Sequence, residues 1–197
     1  MAVYDFKKMK AKLIKDLDDD RYQHTIGVMY TCASLAMAYG CDIERAQCAG
    51  LLHDCAKCIS NKKKLKMCED NGIALTQIEK DHPYLIHAKL GAYIAREKYG
   101  VTDPEILSAI QYHTTGKPQM SLLEKIVYIA DFIEPLRNKA PGLFEIRRLA
   151  FQDLDECMYA ILHSTLDYLG DNPQDVDMTS LKAYNYYMAI HNQRQHK

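Results

Sequence analysis

Six residues in this sequence carry chemistry in places that favour apolar side chains. His24, His53, Asp54, His87, His113 and Asp131 each stand within an apolar run, as in "LLHDCAK", "LIHAKLGA" and "IVYIADFI". A buried carboxylate without compensation costs several kcal/mol. Two such carboxylates among four buried imidazoles need a common explanation. Shared coordination of cations is the simplest one. Four histidines and two aspartates exceed what one zinc needs. The set suits two metals with a bridging carboxylate and open positions for water. Nitrogen and oxygen ligands without thiolate point to iron, manganese or another divalent transition metal. A lone buried histidine is more commonly a hydrogen-bonded core residue, and a lone His-Asp pair recurs by chance. The constellation, rather than any one member, points to metal.

A second pair lies in the same stretch, Cys55-x-x-Cys58. Zinc would need a second cysteine pair at matching spacing, and a thioredoxin-like motif would need a βαβ pattern. The sequence has neither, so a functional role for these cysteines is not expected.

The elements that must position the six residues all read as helices. Apolar periodicity predicts helices over 4–18, 21–39, 43–58, 61–71, 83–99, 104–113, 121–134, 143–169 and 179–194. Asp42 and Asp103-Pro104 mark helix starts, and "SLLE" from Ser121 to Glu124 is a capping box. Gly40, Gly100, Gly116 and Gly170 stand where helices should stop. On these helices His24 shares a face with Val28 and Leu35, and His87 with Leu90, Gly91 and Ile94. His113 follows Ile106 and Ile110, and Asp131 follows Leu123 and Val127. On helix 43–58, Ile43, Ala46, Gly50, His53 and Lys57 fall on one side, with Ala49 and Gly50 leaving room for a close neighbour. No strand alternation, repeat or linker interrupts the pattern. The expected fold is all-α: one compact domain over 1–197, with a core of about 21–134 and C-terminal helices 143–194 packed on it. His82, His163, His191 and His196 share no such company and read as structural or exposed, His82 at the surface before Pro83.

Composition narrows the partners. The chain has 197 residues and a net charge of −1, without the basic footprint of a nucleic-acid binder. No apolar run approaches a membrane span. The N-terminal "MAVYDFKKMK" lacks the apolar region of a signal peptide, and seven cysteines do not suggest a disulfide framework. The expected location is the cytoplasm.

The ordered set His24, His53-Asp54, His87, His113, Asp131 resembles the HD-domain superfamily of metal-dependent phosphohydrolases. "RYQHTIGV", "LLHDCAK", "LIHAKLGA", "YHTTGKPQMSLLEKIVYIADFIEPLR" and the later "AYN" resemble, more narrowly, the YqeK family. The likeness runs from about Arg21 to Asn185. It implies symmetrical hydrolysis of diadenosine tetraphosphate to two ADP, through a metal-held hydroxide that attacks an inner phosphate. It also implies that His24, His53, Asp54 and Asp131 hold one iron firmly. His87 and His113, with Asp54 bridging, would complete a second, more labile position.

A polyphosphate substrate needs cations that are not ligands. Lys57 follows His53 by one turn, Arg137 follows the Asp131 helix, and Arg21 shares a face with His24. Thr114, Thr115 and Gly116 are placed to offer hydroxyls and backbone N–H groups to phosphate. Asp54, Lys57, His113 and Arg137 are the expected catalytic residues, with His113 also a candidate proton donor to the leaving group. Substrate contacts are expected from Arg21, His24, Lys57, His87, His113, Thr114, Thr115, Gly116, Asp131 and Arg137. The family's Thr before "YN" could be Thr179 or Ser180. The expected product is ADP or a GDP-like nucleotide, and the Tyr-rich C-terminal helix could pack on the core or build a homodimer. The same ligands serve HD-type di-iron oxygenases and alarmone or nucleotide hydrolases, and a metal-stabilised nucleotide-sensing module is a non-enzymatic alternative. Lys57, Arg137 and "HTTGK" favour phosphate over oxygen chemistry.

Overall fold

The computed structural model describes residues 4–138, 140–170 and 176–195; His196 and the stretch 171–175 lie outside them. The described residues form eleven α-helices and one 3-10 turn, without strands. They are α1 (Phe6–Asp16), α2 (Asp19–Tyr39), α3 (Ile43–Leu52), α4 (Asn61–Asp70), α5 (Gln77–Asp81), α6 (Ile86–Tyr99), α7 (Pro104–Tyr112), α8 (Leu122–Ile133), α9 (Leu143–Ala150), α10 (Leu154–Leu169) and α11 (Met178–Gln195), with the 3-10 turn at Pro83–Leu85.

Local chemistry sets most boundaries. Asp18, Asp42 and Asp103 each accept from a backbone N–H in the first turn of α2, α3 and α7, which satisfies donors that the helix cannot. Ser121 and Glu124 form the reciprocal capping box of α8. Gly40 and Gly100 close α2 and α6 at φ of 70° and 72°, a left-handed conformation that glycine adopts without penalty.

Three helices depart from the periodic reading. The helix expected over 43–58 ends at Leu52, and i to i+3 turns follow, with Cys55 N donating to Leu52 O and Lys57 N to Asp54 O. Lys57 therefore does not share a helical face with His53. The helix expected over 143–169 breaks after Ala150, because Asp153 turns its carboxylate back onto the N–H groups of Asp155 and Glu156 and starts α10. The short α5 has no counterpart in the expected set. Its signal was the box "TQIE", in which Thr76 and Glu79 cap each other.

The core sits between α2, α3, α6, α7 and α8. α3 packs on α2, α7 and α8, and α6 lies on α7. Leu35, Leu51, Leu90, Ile110 and Ile126, one from each of these helices, are fully buried. α10 and α11 pack together, and α10 lies on α8. Ala183 and Tyr187 of α11 are buried, so the Tyr-rich helix covers its own core.

Close approach of α2 and α3 depends on Gly50. A β-carbon there would stand 2.7 Å from Cys32 Sγ and 3.2 Å from the backbone of Met29. Gly→Ala within a helix ordinarily stabilises. At Gly50 the added methyl must push α2 away, so Gly50→Ala is expected to destabilise the fold by about 1–3 kcal/mol. Chemical denaturation would check this; a stabilised variant would show that the two helices are not in contact at this point.

Candidate metal centre

Five helices deliver the six residues to one place. His24 comes from the second turn of α2. His53 caps the C-terminus of α3, and Asp54 follows it. His87 comes from the first turn of α6, His113 caps α7, and Asp131 comes from the last turn of α8. His24, His53, Asp54, His87 and His113 are 7 % exposed or less.

The imidazoles are oriented by their outer nitrogens. His53 Nδ1 donates to Gly50 O at 2.7 Å, His87 Nδ1 to Tyr84 O at 2.6 Å, and His113 Nδ1 to Ile110 O at 2.7 Å. Each acceptor is the carbonyl three residues back. His24 lies within α2, where neighbouring carbonyls serve the helix, and its Nδ1 instead meets Glu134 Oε1 at 3.0 Å. A proton on Nδ1 leaves the lone pair on Nε2, and all four Nε2 atoms face the carboxylates.

Asp54 stands between two pairs of histidines. Its Oδ2 lies 3.4 Å from His53 Nε2 and 3.9 Å from His24 Nε2. Its Oδ1 lies 3.2 Å from His87 Nε2 and 3.5 Å from His113 Nε2. Asp131 Oδ1 is 3.0 Å from His24 Nε2 and 3.8 Å from His53 Nε2. Among the described residues, His24 Nε2, His53 Nε2 and Asp54 Oδ1 are buried without a hydrogen-bond partner. Unprotonated nitrogens facing ionised oxygens repel unless a cation lies between them, and orphaned buried polar atoms are costly. The donor set therefore fits metal. Ligand atoms of His24, His53 and Asp131 lie within 4.8 Å of one another, and so do those of His53, Asp54 and His113.

The electrostatics agree. Burial alone would raise the Asp54 carboxyl; His53, His113 and His87 outweigh burial and hold it well below the usual carboxylate range when their facing nitrogens carry protons, the positive charge that a metal ion supplies when those nitrogens are ligands. Burial likewise opposes ionisation of Asp131, and His24, His53, His113 and Arg137 overcome it. Burial, the largest influence on His87, drives its imidazolium down to about 4, so that ring is neutral near pH 7, as a ligand must be.

Cations rim the centre. Arg21 Nη1 donates to Asp54 Oδ2 at 2.7 Å, and Arg137 Nη2 to Asp131 Oδ1 at 2.8 Å. Lys57, despite leaving the helix, reaches His87 Nε2 at 3.1 Å and lies 3.9 Å from Asp54 Oδ1. Arg21, Arg137 and His24 line a cleft of about 670 Å³, with Asp18, Glu134 and Leu136. Thr114, Thr115 and Thr179 line a separate cavity of about 130 Å³ beside Tyr112 and Lys89, and Ser180 is not among its lining residues. Gly116 departs from expectation: its N–H is donated to Tyr112 O, and the residue is buried against Ala183, Tyr128 and Met120. It is not placed to offer that N–H to phosphate.

The remaining polar residues have other occupations. Cys55 Sγ donates to Gly91 O, whereas the exposed Cys58 Sγ donates to Asp18 Oδ2. All seven cysteines are free. His82 is half-buried, edge-on to Tyr84. His191 pairs with Glu156 and stacks on Tyr159, and His163 stacks on Tyr159 as well.

Residues 21–136 match the model of the HD domain. The chain belongs to the HD-domain family. Within this family it is 38 % identical to the symmetrical bis(5'-nucleosyl)-tetraphosphatase of Bacillus subtilis, over 89 % of this chain and 93 % of that one. It is 40 % identical to the protein of the same name from Halalkalibacterium halodurans, over 86 % and 89 % of the two chains. A crystal structure of a predicted HD superfamily hydrolase involved in NAD metabolism, from Clostridium acetobutylicum, superposes with a TM-score of 0.90 at 36 % identity. It covers 96 % of this chain and 100 % of that one. The all-α architecture expected from periodicity is the HD fold.

Two parts of this HD site were not legible as such in the sequence. Glu134 is 1 % exposed, and its Oε2 accepts from Leu136 N at 2.8 Å while Oε1 holds His24. Gly27, one turn after His24, makes room for it, since a β-carbon there would lie 2.5 Å from Glu134 Oε2. Arg147 donates to the carbonyls of Ile133, Glu134 and Arg137 at 2.8–2.9 Å, fixing the turn that carries Glu134 and Arg137. The available signal was a mid-helix glycine three residues after the candidate ligand His24. Carboxylates behind ligand histidines set their tautomer and basicity. Glu134→Gln, which keeps an acceptor but removes the charge, is expected to weaken metal affinity by about 10–100-fold. Metal titration of the chelated protein would check this, and unchanged affinity would leave Glu134 a packing residue only.

Proposed function

We propose that the protein hydrolyses diadenosine tetraphosphate symmetrically to two ADP. The observation that carries the reading is the pairing of 38–40 % identity to symmetrical tetraphosphatases over most of both chains with a cation-rimmed His/Asp centre. We further propose two metal positions and iron as the native metal. His24, His53 and Asp131 with Asp54 Oδ2 would hold one ion, and His87 and His113 with Asp54 Oδ1 the other. What supports two positions is the way Asp54 turns one oxygen to each histidine pair. When bound, such ions lower the pKa of a coordinated water and neutralise phosphate charge.

The chain's own groups bind and position. Arg21 and Arg137 grip phosphates at the His24–Asp131 end, and Lys57 does so at the His87 end. A carboxylate oxygen has more than one lone pair, so each arginine can keep its aspartate while meeting a ligand. Phosphoryl transfer relies chiefly on this positioning and charge stabilisation. His113 serves as a ligand rather than a proton donor: its Nδ1 proton is committed to Ile110 O, and its Nε2 faces Asp54 and His87. Thr114, Thr115 and Thr179 border the substrate on the α7 side. Seven free thiols suit a reducing cytoplasm, where we place the protein. Among the described residues no helix is long and apolar enough to cross a membrane.

The test is product analysis from diadenosine tetraphosphate under metal-replete conditions, with and without oxygen. Two ADP at equal rates supports the reading. AMP plus ATP contradicts symmetrical cleavage, and a requirement for oxygen would favour the oxygenase alternative.

A further inference from the structure

The cleft of about 670 Å³ beside His24 has more lining than the metal centre uses. His24, Arg21 and Arg137 form its inner wall, where Arg21 holds Asp54 and Arg137 holds Asp131. Asp18, Asp20, Gln23 and Leu136 line the rest, and all four are exposed. The volume is that of a site for a whole small molecule, for which about 300–1,000 Å³ is usual.

The outer lining differs in kind from the inner. Leu136 is apolar and 60 % exposed. Single exposed leucines are ordinary, but this one stands on a turn that is tied down on both sides. Its N–H donates to Glu134 Oε2 at 2.8 Å, and Arg147 holds the carbonyls of Ile133, Glu134 and Arg137. The backbone therefore presents Leu136 beside Arg137 instead of folding it onto the core. Asp18 is committed, one oxygen to the Arg21 N–H and the other to Cys58 Sγ. The side chains of Asp20 and Gln23 have no hydrogen bond or ion pair among the described residues. The two carboxylates would repel a further phosphate. A neutral group with hydroxyls and an apolar face would meet an acceptor in Asp20, an amide in Gln23 and a hydrocarbon surface in Leu136. That is the chemistry of a nucleoside.

We propose that this cleft binds one nucleoside of the substrate, with its base against Leu136 and its ribose hydroxyls on Asp20. The proposal rests on the function proposed above. Symmetrical cleavage puts the scissile bond midway between two nucleosides, with two phosphates on each side. Thr114, Thr115 and Thr179 border one side, in the cavity beside Tyr112. Arg21 and Arg137 take the phosphates of the other, and its nucleoside continues past them into the cleft.

The test is calorimetric titration of the metal-loaded protein with ADP and with inorganic pyrophosphate, which both carry two phosphates and differ in the nucleoside. Leu136→Ala and Asp20→Ala are each expected to weaken ADP about tenfold at one of two sites, the scale of a covered leucine face or of a hydrogen bond to a charged group. Pyrophosphate affinity should hold in Leu136→Ala, and hold or improve in Asp20→Ala, which removes a negative charge. Metal content and Tm should match the parent, because both side chains are exposed, and kcat/KM for diadenosine tetraphosphate should fall about tenfold. Unchanged ADP affinity in either variant would overturn the proposal. So would ADP and pyrophosphate moving together. A joint loss would make the outer lining a support for the phosphate site, and a joint gain in Asp20→Ala would leave that carboxylate a repelling charge only. ADP binding needs no turnover. If the parent protein leaves the tetraphosphate intact, the proposed function fails while the ADP titration still decides on the cleft.

Discussion

Asp54→Ala is expected to lose bound metal and hydrolysis together. Asp54 is the one residue whose two oxygens face both histidine pairs, at 3.2–3.9 Å from the four Nε2 atoms. Removing it takes away a ligand from each proposed position and the negative charge that offsets two cations. It also leaves Arg21, now paired with it at 2.7 Å, facing the histidines without a counter-ion. Loss of a partner that merely orients a ligand costs about 10–100-fold in metal affinity, and loss of a shared ligand should exceed that. Elemental analysis alongside activity is the measurement. Full occupancy of two metals in Asp54→Ala would exclude Asp54 as the bridge. Folding should survive, because three of the four histidines are anchored to backbone carbonyls that the substitution does not touch.

Arg137→Ala is expected to separate metal binding from turnover. The guanidinium donates to both the backbone oxygen and Oδ1 of Asp131, yet its side chain is 44 % exposed at the cleft. Its loss relieves competition for Asp131 Oδ1, so metal content should hold. A charge-assisted bond to phosphate contributes about 1.5–3 kcal/mol, so kcat/KM should fall by roughly 10–100-fold. Arg137→Lys should recover only part, because an ammonium does not reproduce the planar fork. Unchanged turnover in Arg137→Ala would remove Arg137 from the mechanism. A parallel loss of metal would make it a positioning residue for Asp131.

Both variants concern residues that the sequence already singled out, but the reasons differ. A carboxylate in the apolar run "LLHDCAK" is anomalous wherever the chain goes, because desolvation of a charge does not depend on the fold that causes it. The same holds for the four histidines and for Asp131. Helix starts at Asp42, Asp103 and Ser121 were equally local, since a cap bonds to N–H groups two or three residues away. The end of α3 was not readable in this way. Apolar spacing continues past Leu52, yet the helix stops there, where His53 Nδ1 takes the carbonyl of Gly50. The break at Asp153 and the engaged N–H of Gly116 escaped for related reasons, as each depends on which of two available bonds the folded chain selects.

By itself the sequence determined an all-helical chain, the six candidate ligands and the positive residues beside them, because these follow from periodicity and from the cost of burying charge. Tertiary structure decided which oxygen of Asp54 meets which histidine pair, and that Glu134 stands behind His24 over Gly27. Those facts arise from residues far apart in the chain, such as His24 and Glu134 at a separation of 110 positions. No local pattern encodes a distance between helices; it is set where side chains from several of them compete for the same space.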